Sequence, residues 1–125
     1  MRTSGAYIAA LLLLAVGVAA GRQLQEDPVY VIDPWGPLKY SPVSVAPYTR
    51  VMFRWRGPHG VYRIPNGRCP VAFNPSPSNG IVKMHAISDG GAFSTQPLAP
   101  GTYWFTSPVP GHCHAGTIIK IIAEP

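Results

Sequence analysis

Apolar and polar residues alternate with a period of two through Arg50-Val-Met-Phe-Arg-Trp-Arg56. Val51, Phe53 and Trp55 fall on one face and Arg50, Arg54 and Arg56 on the other, with only Met52 out of step. This is the pattern of a half-buried β-strand. Further β-rich runs occupy 29–32, 43–46, 60–64, 81–87, 92–98, 101–107 and 117–123. The last of these is apolar on both sides apart from Lys120, which predicts an interior strand. Fifteen prolines and thirteen glycines are spread along the chain and leave no window for a long helix. Eight short strands separated by turn signals predict an antiparallel β-sandwich.

The first twenty residues stand outside this pattern. Arg2 precedes an apolar run from Tyr7 to Val18, and Val18-Ala19-Ala20 offers the small residues that a signal peptidase reads. The run is short for a membrane span. The expectation is a signal peptide over 1–20, cleaved after Ala20, with retention as an anchor the alternative. Residues 21–125 then form one domain by length, secreted, extracellular and without membrane attachment. Cys69 and Cys113 are the only cysteines, and two cysteines in a secreted chain most simply make one disulfide.

Within Gly101-Thr-Tyr-Trp-Phe-Thr-Ser-Pro-Val-Pro-Gly-His-Cys-His-Ala-Gly-Thr117 the chain resembles the signature of the phytocyanins, the plant-type secreted blue copper proteins. That signature reads aromatic-aromatic-x-Cys, four residues, His-Cys, then Gly followed by Met or Gln. Phe53-Arg-Trp-Arg-Gly-Pro-His59-Gly-Val61 resembles the family's strand that ends at its first copper histidine, and Cys69 resembles its first disulfide cysteine. Trp35-Gly36 resembles its early tryptophan. The resemblance implies a cupredoxin-like Greek-key β-sandwich with a Cys69–Cys113 disulfide. It also implies copper-ligand positions at His59, 107, His112 and 117. Ser107 stands where the family has its copper thiolate, and Thr117 where it has the axial Met or Gln. This is the pattern of the early-nodulin-like type, which lacks the copper cysteine.

Blue copper needs two imidazoles and a thiolate. A serine hydroxyl is a neutral, hard donor that cannot reproduce the thiolate bond. His59 and His112 could still hold copper, or zinc with added water. If the backbone were extended, His114 would point to the same side as His112 and complete a three-imidazole site. If Pro110-Gly111 and Ala115-Gly116 make a turn, His114 faces solvent instead. No cofactor is required on this reading, and copper is an option for the histidines. His85 follows Met84 on a predicted strand, where neighbours face opposite ways, so the two do not form a shared ligand pair.

The chain carries a formal net charge of +5. Arg50, Arg54 and Arg56 share one strand face, which could bind an acidic extracellular polysaccharide or an acidic protein. Equally, it could be a solvated face that keeps the sheet from sticking to others. No nucleic-acid partner is expected. The chain has no Gly-x-Ser-x-Gly elbow, no His-Glu-x-x-His and no phosphate-binding glycine loop. The expectation is therefore not an enzyme but an extracellular binding or structural module. The alternative is a copper-binding electron-transfer protein using His59 and His112.

Overall fold

The computed structural model describes residues 26–125, so the expected signal segment lies outside the described residues. The elements are β1 (Val29–Ile32), β2 (Val43–Val45), β3 (Arg50–Ile64), β4 (Val82–Ser94), β5 (Gly101–Thr106), a short helix α1 (His112–Ala115) and β6 (Ile118–Ala123). Six strands pair in the order β1-β3-β5-β6-β2, with β4 on the other side of β3.

Two differences from the expected strands have local causes. The runs 50–56 and 60–64 fuse into β3, because the backbone passes through Gly57 at φ 71° and the β3–β4 register shifts between Trp55 and Pro58. A bulge of this kind bends a strand without ending it. The runs 81–87 and 92–98 likewise join through Gly90 and Gly91 into β4, which ends at Ser94 and leaves 95–98 outside it. A Cβ on Gly91 would lie 2.7 Å from Trp55 Cζ2, so the strand can follow its partner only without a side chain there. The sandwich is also not purely antiparallel, since β1 pairs with β3 and β2 with β6 in parallel.

The core forms where the period-two pattern places it. Val51 and Phe53 have no exposed surface and Trp55 is 4% exposed, and they meet Phe105, Ile119 and Ile121 from β5 and β6. Phe53 stands edge-on to Trp35 at 5.0 Å and to Phe105 at 5.3 Å, a favoured aromatic geometry. β6 lies between β5 and β2, an interior strand as expected. One of its faces (Ile119, Ile121, Ala123) is fully buried and the other only partly.

The disulfide joins Cys69 to Cys113. It ties the loop that follows β3 to α1. Among the described residues, no helix is long and apolar enough to cross a membrane.

Candidate functional site

His59 sits in the second half of β3 and His112 opens α1, and the fold brings their rings together, tilted, with centroids 4.8 Å apart and planes at 43°. Ser107, just past the end of β5, lies between the two segments and is fully buried. Its Oγ accepts a long hydrogen bond from the Gly60 amide at 3.4 Å and lies 3.3 Å from His112 Nδ1. The serine therefore links the residue after His59 to the ring of His112.

His59 is 7% exposed, and its Nδ1 is enclosed without a hydrogen-bond partner. Nε2 and Cε1 of that ring lie nearest Gly36, 3.6 and 3.7 Å from where a Cβ on it would stand. Burial, and then the neighbouring His112, hold the His59 pKa below the ordinary histidine value. Burial disfavours a charged ring, and a second imidazolium would repel it. The folded state thus keeps His59 neutral, while the unfolded chain takes up a proton below about pH 6.5. Its contribution to stability is complete above that pH and is lost as pH falls toward the folded-state pKa. Thermal melts from about pH 7.5 down to about pH 5 should show a falling Tm, with a shallower slope in His59→Gln. Equal slopes in the two proteins would assign the acid sensitivity elsewhere.

Thr117 is fully buried, and its Oγ1 donates to the Gly36 carbonyl at 2.9 Å, joining residues 81 apart in sequence. The hydroxyl is committed to the fold. That carbonyl also accepts from the Leu38 amide at 2.7 Å. Thr117→Val leaves it satisfied and should lower stability by only about 1 kcal/mol in urea unfolding. A loss of several kcal/mol would mean that the hydroxyl does more than make this bond.

His114 does not join the pair. Residues 112–115 form a helical turn, entered through Gly111 at φ 83° and left through Gly116 at φ 115°. Both φ values lie in the left-handed region that glycine adopts freely. Two residues along a helix are turned by about 200°, so His112 and His114 point to opposite sides. His114 is exposed. The three-imidazole arrangement is thereby corrected in favour of the turn. Among the described residues, no group of three or more His, Cys, Asp or Glu side chains is placed to hold a metal. The donors present do not fit a blue copper centre: position 107 offers a neutral hydroxyl, and the hydroxyl at 117 is already bonded.

The arginines separate. Arg50 pairs with Asp27 at 3.1 Å and donates to the Thr95 carbonyl. Arg54 and Arg56 are exposed on β3. His85 packs edge-on against Trp55, and its Nδ1 lies 2.7 Å from the Ala86 carbonyl.

Sequence reasoning did not bring the segment around Trp35 to the site. Trp35 Nε1 donates to the Gly60 carbonyl at 2.9 Å, and Gly36 lies against His59. The signal for it was a tryptophan set among turn residues, Pro34-Trp35-Gly36-Pro37. Such a residue is costly to leave in solvent and tends to be buried.

No protein-family model and no curated protein matches the chain. Solved structures do. Auracyanin B is similar over 82% of this chain and 94% of its own, with 18% identity and a TM-score of 0.53. Spinach plantacyanin matches over 77% and 99%, with 24% identity and a TM-score of 0.49. Cucumber basic protein, described as a blue copper protein, matches over 76% and 98%, with 20% identity and a TM-score of 0.42. The fold is a cupredoxin-like Greek-key β-sandwich with one disulfide.

Proposed function

We propose that this chain is a secreted, phytocyanin-like protein of the early-nodulin-like type, in which the copper position has become a structural hydrogen-bond node. It acts outside the cell as a non-redox binding or structural module. The observation that carries this reading is Ser107, fully buried between the Gly60 amide and His112 Nδ1. A neutral hydroxyl there lacks the charge and covalency of a thiolate, and electron transfer at a blue centre depends on both. The family reading is supported by His59, Cys69, Tyr103-Trp104-Phe105 and His112-Cys113 in that order. Secretion is supported by the apolar segment before Ala20 and by the disulfide. Arg54 and Arg56 are the side chains it would turn toward an acidic polysaccharide or protein.

A second reading rests on one specific observation. His59 Nδ1 is buried without a partner beside another imidazole, as a ring awaiting a metal would be. Two neutral imidazoles can hold copper without any thiolate colour. Titrating Cu(II) into metal-free protein, with optical and paramagnetic spectra recorded, separates the two. The first reading expects no stoichiometric complex and no intense blue band. A pale one-to-one complex that disappears in His59→Gln would establish the second. An intense blue band in the wild type would overturn the role given to Ser107.

A further inference from the structure

A cleft of about 490 Å³ opens beside His59, within the size range of small-molecule sites. Pro34, Trp35, Pro37 and Leu38 make its apolar walls. Trp35 is held on both sides, by its indole bond to the Gly60 carbonyl and by the ring of Phe53. The backbone beside it is pinned through Tyr40 Oη, which accepts from the Gly36 amide at 2.9 Å and donates to the Pro34 carbonyl at 2.8 Å. These walls are pre-formed, so a ligand would not have to order them.

Three polar groups line the same cleft: Arg56, Asp33 and His59. Among the described residues the one ion pair is Arg50–Asp27, so the Arg56 guanidinium has no carboxylate partner there, and Asp33 does not supply one. Among the described residues, chain neighbours aside, the atoms within 4 Å of a Cβ at Gly36 would be His59 Nε2 at 3.6 Å and Cε1 at 3.7 Å. The missing side chain leaves that imidazole edge open, whereas an alanine there meets ordinary contact distances and no strained φ.

We propose that this cleft binds a small monocarboxylate with an apolar, ring-sized body. The carboxylate takes the planar fork of Arg56, which matches it in geometry and charge. The body lies against Pro34, Pro37 and Leu38, with the Trp35 indole, 1% exposed, buried behind them as their support. Asp33 repels a second negative charge and so selects against dianions. The proposal rests on the reading of the chain as a binding module and gives that module a ligand class.

Calorimetry on the full mature chain tests it with 3-phenylpropionate, its primary amide and phenylsuccinate. The expected result is saturable one-to-one binding of the monocarboxylate, about tenfold or more tighter than either comparator. Arg56→Gln should remove that advantage, bringing acid and amide to similar affinity. Gly36→Ala should weaken all three ligands while near-UV circular dichroism stays that of the wild type. Asp33→Asn should improve phenylsuccinate selectively. Three outcomes would each overturn the proposal: no saturable binding of any probe, equal affinity for acid and amide, or no effect of Arg56→Gln. The copper titration on the same samples keeps the two readings apart. A blue band would overturn the non-redox reading and leave the cleft result standing, whereas absent ligand binding without copper uptake would overturn the cleft alone.

Discussion

The double variant Cys69→Ala, Cys113→Ala should be less stable than the wild type by about 4 kcal/mol, the chain-entropy value for the loop it opens. The bonded cysteines are 44 residues apart. The open chain regains the freedom of that whole stretch, which includes β4 and β5. Cys113 is also 4% exposed, so the loss of buried sulfur adds to the entropic term. For a domain whose total stability is of order 5–15 kcal/mol, the loss is a large fraction of the whole. It corresponds to a Tm drop of roughly 15–30 °C. The site should fail before the sheet does. α1 has four residues, far too few to hold itself together, and the disulfide is the covalent tie that docks it. Below the variant's Tm, the His112 ring should therefore lose its fixed place beside Ser107, visible as averaging of its imidazole NMR signals, while the signals of Phe53 and Phe105 persist. A Tm within a few degrees of the wild type would show that the loop is already confined without the bond.

Sequence pattern reveals different parts of this molecule to different degrees. The buried triplet Val51, Phe53 and Trp55 was legible because a strand with one wet face writes its burial as alternation. Strand direction leaves no such trace. Val29 pairs in parallel with Arg50, and Val43 with Ile121. Both pairings depend on where the chain travels between them and not on residue order within either strand. Glycines were ambiguous in the same way. Gly57, Gly90 and Gly91 read as turn signals, yet they allow strands to bend and approach closely.

The candidate site divides along similar lines. His59, Ser107 and His112 come together as their family-like spacing implies. His114 depended on the backbone between two glycines, where extended and helical conformations were both open, and the helical turn sends it outward. The cleft was not legible at all. It needs Arg56 and His59 from β3 beside Pro34 to Leu38, two segments that local pattern cannot bring together.

Ser107→Cys should turn this protein into one that binds copper tightly and shows an intense thiolate charge-transfer band. The position is fully buried, with its side chain already 3.3 Å from His112 Nδ1 and facing the Gly60 amide. A thiol there keeps a hydrogen-bond donor beside it and a second imidazole, His59, tilted against the first. Among the described residues His59 Nδ1 has no hydrogen-bond partner, so in the tautomer protonated at Nε2 it would offer a free lone pair. The substitution adds the two things the wild-type set lacks, a negative charge and a soft donor, and together they should raise copper affinity by orders of magnitude. Thr117 remains bonded to the Gly36 carbonyl, so the groups that would hold copper are the new thiolate, His59 and His112. A third cysteine could exchange with Cys69–Cys113, so peptide mapping must first show that bond intact. The informative failure is a folded variant that keeps the disulfide, binds copper and shows no charge-transfer band. In that protein the thiolate and the two histidines would not share one ion, and the proposal of a degenerate copper site at Ser107 would have to be abandoned.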